Sequence, residues 1–203
     1  MLLAGCQSQG LAPCDLLFHV AATGNQITDV TPGMIDHVAI CLGPDSVVEA
    51  IGRGVVITPL DSVLQREAGY YIHARVRGVD RRQSLAMARS YLGRAYDYLY
   101  LPDNADIYCS ELVQLTFVDR HGRRLFAPIP MSFHDATGRI TDYWTQFYAR
   151  RGLQVPEGQP GTNPGELSQR KQVKQLQTLD RFSPKQSRTT KPPKGQAQKR
   201  FKL

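Results

Sequence analysis

The sequence has no pair of cysteines with the spacing of a metal site. Its four cysteines, Cys6, Cys14, Cys41 and Cys109, contain no C-x-x-C motif. A zinc site built on Cys109 and His37 is disfavoured because no further residue has ligand spacing, so the sequence predicts no metal and no other cofactor. Cys14 and Cys41 are expected to be small core residues, and a disulfide between them is the alternative in an oxidising compartment.

Long apolar segments are also missing. No stretch beyond the first residues is apolar for long enough to span a membrane. The tetrapeptide "LAGC" at residues 3–6 resembles the lipobox of bacterial lipoproteins, in which the cysteine becomes the lipidated first residue. The charged and apolar segments that precede a lipobox are absent, so either the start codon is assigned too late or the match is chance. The first alternative makes residues 1–12 a signal remnant and tether, Cys6 a lipidation site, and the protein a membrane-anchored lipoprotein of the cell envelope.

Acidic residues are nearly absent from the C-terminal part of the chain. Of the 25 Lys and Arg residues, 11 lie in 169–203, where Asp180 is the one acidic residue. The remainder is mildly acidic, so the basic net charge does not indicate a nucleic-acid-binding protein. Residues 156–203 are predicted to be a linker and a disordered basic tail, because large apolar residues are few there. Such a tail either keeps a protein soluble or attracts it to anionic envelope polymers and lipids.

The order of strand and helix patterns predicts an α+β fold, a small antiparallel sheet packed against helices, within residues 13–155. Runs of β-branched and apolar residues bounded by turn residues indicate strands at 15–20, 37–43, 46–52, 54–60 and 70–78. Helices are expected at 60–69, at 80–93 with Asp80 as its cap, from Cys109 onward, and at 141–152.

Cys109 stands where an apolar helix begins, in "YCSELVQLTF" at 108–117. The unpaired N–H groups and the positive dipole end of a helix stabilise a thiolate there, as a nucleophilic cysteine requires. A nucleophile also needs a base and a group that orients the base. Among the five histidines, His37 opens a strand after a glycine-containing loop and is therefore expected at the rim of the sheet.

Glu49 lies in the next strand among apolar residues, where a carboxylate must face solvent or have a partner. If residues 43–45 form a three-residue connection, Leu42 lies opposite Ser46 and Ala39 opposite Glu49. His37 and Glu49 are then diagonal neighbours on one face of the sheet. A connection of two or four residues puts them on opposite faces unless a bulge intervenes.

Four blocks of sequence carry a resemblance to a known family: "HVAICLG", "VVEAIGRGVVITPL", "YLGRAYDYLY" and "YCSELV". In this order they resemble the YiiX/YaeF group of permuted papain-like amidases, relatives of the NlpC-type cell-wall hydrolases. In that group a histidine opens one strand, a glutamate lies in the next, and the cysteine comes last. The matching positions are His37, Glu49 and Cys109. One position departs from the pattern, since Cys14 stands where the family usually has a glycine before the aspartate of its first strand.

The resemblance implies a circularly permuted papain-like fold and acyl transfer to water through a cysteine thioester. His37 takes the proton of Cys109, Glu49 orients the imidazole, and the backbone N–H of Cys109 contributes to the oxyanion hole. The implied substrates are a peptide amide of the cell wall, an N-acyl amino acid or a lipid ester. A lipid-directed acyltransferase or esterase and a non-catalytic envelope-binding module are the alternatives.

Other interpretations of the same residues stay open at this point. Cys109 also fits a buried helix cysteine, His37 a histidine satisfied by a backbone carbonyl, and Glu49 a solvent-facing strand residue. Tyr96 is expected to serve packing more than substrate contact. Glu111, in the first turn of its helix, is expected to serve the helix dipole.

Overall fold

The computed structural model describes residues 10–66 and 68–179. Its strands are β1 Asp15–Ala21, β2 Ile35–Cys41, β3 Ser46–Ile51, β4 Gly54–Pro59, β5 Gly69–Val76, β6 Ile129–Pro130, β7 Pro160–Gly161 and β8 Val173–Leu179. Six of them form one antiparallel sheet in the order β4-β3-β2-β1-β5-β8, and β6 pairs with β7 separately. The predicted α+β architecture, an antiparallel sheet with helices, is confirmed.

Five helices accompany the sheet: α1 Leu60–Arg66, α2 Arg81–Ser90, α3 Cys109–Thr116, α4 Asp142–Ala149 and α5 Pro164–Ser168. The predicted cap of α2 is present, because the Asp80 carboxylate accepts the backbone N–H of Gln83 at 2.9 Å. Gly93 follows with a φ of 84°, a left-handed conformation that glycine adopts at low cost and that ends the helical segment. Among the described residues, no helix is both long and apolar enough to cross a membrane.

The two faces of the sheet are covered by different layers, as the alternation of side chains along β2 illustrates. Val38 and Ile40 belong to the larger core, which α2 and α3 cover. Ala39 and Cys41 belong to a smaller core on the other face, which Val63 of α1 covers. Successive residues of the central strands are therefore buried on opposite faces of the sheet, in different cores.

Cys14 and Cys41 are both buried and both free thiols, so the alternative of a disulfide between them is wrong. Burial in an apolar environment raises the pKa of the Cys14 thiol to about 12 and also raises that of Cys41. Cys14 has a φ of 63°. This left-handed conformation explains why a glycine suits the position, and the cysteine adopts it here at some cost in backbone energy.

A buried charged cluster ties β1 to β5. The Asp15 carboxylate, which is fully buried, accepts hydrogen bonds from Nε2 of His73 at 2.7 Å and from the Arg75 guanidinium at 2.9 and 2.8 Å. Burial alone would raise the pKa of this carboxyl, but the hydrogen bonds from Arg75 and His73 hold it well below its usual range. Asp15 therefore stays ionised and stabilises the pairing of the two strands.

The prediction that the domain ends at residue 155 is wrong for residues 156–179. Asn163 caps α5 by accepting the N–H of Glu166 at 2.7 Å, and Leu167 is fully buried in the larger core. β8 then pairs with β5 along the whole of its length and buries the side chain of Leu179. Most other side chains of β8 are exposed, so the sequence of this strand shows no alternation of apolar and polar residues. Residues 180–203, with the rest of the predicted tail, and Cys6 lie outside the described residues.

Candidate active site

The connection between β2 and β3 has the three-residue register on which the predicted site depends. Ile40 lies opposite Val48 and Cys41 opposite Val47, while the N–H of Leu42 donates to the carbonyl of Ser46 at 2.9 Å. Continued outward, this register puts Glu49 and His37 on the same face as diagonal neighbours. The Glu49 Oε2 atom lies 2.8 Å from Nε2 of His37.

Glu49 also has a partner that the sequence analysis missed. Arg66, the last residue of α1, donates from Nη1 to Oε2 at 3.0 Å and from Nη2 to Oε1 at 2.5 Å. The Glu49 side chain is fully buried, while 26% of the Arg66 side chain is exposed. One weak signal for this pair was present in the sequence, since a buried carboxylate in an apolar strand requires a cationic or hydrogen-bonding partner.

Cys109 is the first residue of α3 and is 5% exposed. Its thiol lies close enough to His37 to raise the pKa of the imidazole. Since Nε2 of that imidazole is bonded to Glu49, Nδ1 is the nitrogen available to Cys109. The structure thus brings together all three residues matched in the sequence, with His37 between the carboxylate and the thiol.

The electrostatics favour a charged imidazole at this position. Burial by itself would lower the pKa of His37, but the hydrogen bonds and negative charges of Cys109 and Glu49 outweigh it and raise the pKa to about 10. Burial would raise the pKa of Glu49, yet hydrogen bonds from His37 and Arg66 hold it well below its usual range. The arrangement therefore supports a protonated imidazole at His37 next to an ionised Glu49.

The N-terminus of α3 is held in place by neighbouring groups. Glu111 accepts the backbone N–H of Tyr108 at 3.4 Å, and burial raises the pKa of its carboxyl to about 7. The Tyr108 hydroxyl accepts the N–H of Thr162 at 3.0 Å, and the Ser110 hydroxyl donates to the Thr162 carbonyl at 3.3 Å. Glu111 therefore serves the helix terminus, as expected, and the segment beyond residue 155 supports the turn that carries the cysteine.

Two clefts meet at the thiol and the imidazole. One reaches Cys109 and is lined by apolar and aromatic side chains, among them Val30, Met131, Phe133 and Trp144. The other reaches His37 and is lined by more polar groups, among them Asn25, Gln26 and Arg66.

Tyr96 and Asp36 line both clefts. Tyr96 packs against the larger core and, in addition to this expected role, borders the space next to Cys109. Asp36 accepts hydrogen bonds from Nδ1 of His19 at 2.6 Å and from the Asn25 amide at 2.7 Å. A fixed carboxylate thus lies at the junction of the two clefts.

Within residues 10–66 and 68–179, no three His, Cys, Asp or Glu side chains are grouped so that they could hold a metal ion. The partners of His37 are Glu49 and Cys109.

The chain is similar to known proteins in sequence and in fold. The model of a family described as permuted papain-like amidase enzymes, YaeF/YiiX, C92 family, matches residues 11–177. Among solved structures, the chain is similar to one described as metalloprotein yiiX from Escherichia coli O157:H7. The TM-score is 0.68 at 19% identity, over 83% of this chain and 98% of that one. No curated protein matches the sequence.

Proposed function

Because the chain belongs to the permuted papain-like amidase family of YaeF and YiiX, we propose that it is a cysteine hydrolase that cleaves an amide bond through an acyl-enzyme on Cys109. The observation that carries the proposal is the position of His37, whose Nε2 atom lies 2.8 Å from Glu49 and whose imidazole lies close enough to Cys109 for the thiol to raise its pKa. A nucleophile, a base and an orienting carboxylate within hydrogen-bond reach are what such chemistry requires.

In the first half of the reaction, the Cys109 thiolate attacks the amide carbonyl carbon and forms a tetrahedral intermediate. The backbone N–H of Cys109, one of the unpaired donors at the start of α3, stabilises the oxyanion. The carbon–nitrogen bond then breaks, the imidazolium of His37 gives its proton to the departing nitrogen, and a thioester remains on Cys109.

In the second half, neutral His37 takes a proton from water, and the resulting hydroxide attacks the thioester carbonyl. The carbon–sulfur bond breaks, the acid is released, and the sulfur anion next to the imidazolium is restored. Glu49 holds the Nε2–H in place during both halves, so that Nδ1 always faces the sulfur. Arg66 keeps this carboxylate ionised in its buried position.

The experiment that tests the proposal is hydrolysis of small acyl amides and activated esters by the full chain and by Cys109→Ala and His37→Ala. Both variants should lose at least a hundredfold in kcat/KM, while the matched variant Cys41→Ala should keep its activity because that thiol lies in the smaller core. Circular dichroism establishes that the variants remain folded. Activity retained in Cys109→Ala would contradict the proposal.

A lipid ester is the second candidate substrate class, because the cleft at Cys109 is lined largely by apolar side chains. An esterase or acyltransferase acting on lipids would use the same acyl-enzyme with a different leaving group or acceptor. Comparing release of fatty acid from phospholipid vesicles with release of amine from acyl amides separates the two. A non-catalytic envelope-binding module would turn over neither.

The proposal also has a part that concerns location in the cell envelope. The tetrapeptide at residues 3–6 supports a lipoprotein that is anchored through Cys6, and two or more acyl chains would hold it stably at a membrane. Expressed with its upstream codons, the protein should fractionate with membranes at high salt, and Cys6→Ser should release it. A wild-type protein that remains in the soluble fraction would contradict this part alone.

A further inference from the structure

Near the reaction centre, strand β2 contains one residue more than the strand β1 with which it pairs. His19 of β1 lies opposite His37. The next residue of β1, Val20, lies opposite Ile35, so Asp36 is the extra residue of a β-bulge. Neighbouring side chains of a regular strand point to opposite faces of the sheet. Asp36 and His37 instead line the same polar cleft, as expected where a bulge changes the direction of a side chain.

Two partners hold the Asp36 side chain in place. Its Oδ1 atom lies 2.6 Å from Nδ1 of His19, and its Oδ2 atom accepts a hydrogen bond from the Asn25 amide at 2.7 Å. Asn25 is itself fixed, because its side-chain oxygen accepts the backbone N–H groups of Ile27 at 2.9 Å and Thr28 at 3.0 Å. The carboxylate, which is 10% exposed, is therefore held at the border of both clefts.

The charge of Asp36 acts on His37. Burial by itself would raise the pKa of Asp36, but hydrogen bonds from His19 and Asn25 hold it below its usual value. The charges of the two histidines, His19 and His37, act in the same direction. Such an interaction is reciprocal. If the protonated imidazole of His37 favours the ionised carboxylate, the ionised carboxylate favours the protonated imidazole to the same extent.

This contribution differs from that of Glu49. Glu49 lies at Nε2 of His37 and orients the ring, and the guanidinium of Arg66 compensates its charge. Asp36 is bonded instead to a neutral amide and to a second imidazole. Its charge therefore acts on His37 in addition to that of Glu49.

The titratable and charged groups around the imidazole come from several elements. They are Asp36 of β2, Glu49 of β3, Arg66 of α1, Cys109 of α3, the residues Tyr96, Tyr98 and Tyr100 between α2 and α3, and His19 of β1 next to Asp36. Two carboxylates and one guanidinium are thus present. With His19 neutral, a protonated His37 brings these charges into balance.

We propose that Asp36 is a positioning residue of the reaction, a second carboxylate that the bulge directs to the site and that stabilises protonated His37. The inference rests on the proposed function, because it concerns the base that serves the same acyl-enzyme. In the second half of the reaction His37 takes a proton from water, and the charge of Asp36 favours this uptake. In the first half the imidazolium gives its proton away, so Asp36 should speed hydrolysis of the thioester more than its formation.

The titration of His37 tests this role without any substrate. Nuclear magnetic resonance of the full chain with Cys109→Ala follows the imidazole in the absence of the thiol. Adding Asp36→Asn should move the midpoint of His37 about one pH unit lower, whereas Asp36→Glu keeps the charge and should restore most of the difference. The matched control is Asp29→Asn, a change at an exposed carboxylate before β2 that should leave the midpoint unchanged.

If Asp36→Asn does not fold, Asn25→Ala decides the question. This variant keeps the carboxylate but removes one of the hydrogen bonds that hold it, so its midpoint should also be lower than that of Cys109→Ala alone. An unchanged midpoint in Asp36→Asn, or in Asn25→Ala where only that variant folds, overturns the inference.

With the thiol intact, the two halves of the reaction provide a second readout. After acylation by p-nitrophenyl hexanoate, Asp36→Asn should lose the acyl group from Cys109 roughly three- to tenfold more slowly than wild type at pH 7, while acylation changes less. Mass spectrometry of the quenched protein measures both steps. Equal slowing of both steps, as a purely structural role would give, counts against the inference. If wild type forms no acyl-enzyme, the proposed function fails, whereas the midpoint of His37 still decides whether Asp36 acts on the imidazole.

Discussion

Arg66 binds Glu49 through both of its terminal nitrogens, at 3.0 and 2.5 Å, and Nε2 of His37 lies 2.8 Å from Oε2, the same oxygen that Nη1 of Arg66 contacts. A fully buried anion is thus compensated by a guanidinium that is itself partly exposed. The pair matters for the chemistry because the orienting carboxylate works only while it is ionised.

Replacing Arg66 should affect the reaction through Glu49. Without the guanidinium, burial raises the pKa of the Glu49 carboxyl, so the acidic limb of the kcat/KM profile should move to higher pH in Arg66→Met. At its pH optimum, Arg66→Met should have a kcat/KM on the order of tenfold lower than that of wild type. Arg66→Lys keeps the charge but not the bidentate contact, so its kcat/KM should lie between those of wild type and Arg66→Met. An unmoved acidic limb in Arg66→Met would contradict this role.

The imidazole next to Cys109 should make this cysteine reactive under acidic conditions. Because the pKa of His37 is raised to about 10, the ring remains protonated at pH 6 and stabilises the sulfur anion. Iodoacetamide should therefore modify Cys109 at pH 6, whereas Cys14 and Cys41, whose thiol pKa values are raised by burial, should not react. Peptide mass spectrometry measures the three rates.

His37→Ala is the matched variant for this experiment. Its Cys109 modification should be slow at pH 6 and should rise with pH as for an ordinary thiol, whose pKa is about 8.5. Equal modification of all three cysteines across the pH range in wild type would argue against an activated nucleophile.

The charged cluster around Asp15 should control stability in acid. The pKa of the Asp15 carboxyl is lower in the folded than in the unfolded state. The contribution of Asp15 to the free energy of unfolding is therefore complete above the unfolded-state pKa, near 4, and is lost as the pH falls through the folded-state pKa. Asp15→Asn should lower the free energy of unfolding by on the order of 3 kcal/mol at pH 7, because it leaves His73 and Arg75 without their anion.

The difference between Asp15→Asn and wild type should shrink at pH 2, as urea unfolding at both pH values would measure. The matched control is Asp106→Asn, a change at an exposed loop carboxylate that should alter stability by less than about 0.5 kcal/mol. A loss of the same size at both pH values would refute the electrostatic explanation.

Cys14 allows a test of the backbone conformation at the start of β1. The backbone at position 14 has a φ of 63°. In this left-handed conformation an alanine has the same cost in backbone energy as the cysteine, whereas a glycine has none. Cys14→Gly should therefore be at least as stable as Cys14→Ala, the reverse of the usual order at an ordinary position. Thermal unfolding of the two variants side by side decides the order; a glycine variant less stable by about 1 kcal/mol would contradict the account.

Much of the site could be predicted from the sequence because it depends on local rules. A glycine-proline-aspartate turn set the register of β2 and β3, and this register determined that His37 and Glu49 share a face. The position of Cys109 followed from the start of an apolar helix. Such features depend on residues that are close in sequence or on a regular alternation of side chains.

Arg66 and β8 could not be predicted for physical reasons. Arg66 meets Glu49 only because α1 folds back over the sheet, a tertiary contact that no periodicity encodes. β8 is an edge strand of the sheet, stabilised by backbone hydrogen bonds to β5 while most of its side chains stay exposed, so its polar composition resembles that of an unfolded tail.

The acyl-enzyme itself is the most direct test of the central claim. Intact mass spectrometry of the full chain, quenched in acid within the first turnovers of p-nitrophenyl hexanoate, should detect one added hexanoyl group that peptide mapping assigns to Cys109. The adduct should decay with time in wild type and should be absent from Cys109→Ala. Hydrolysis at an undiminished rate by Cys109→Ala, or a hexanoyl group mapped to another residue during turnover, would contradict the account.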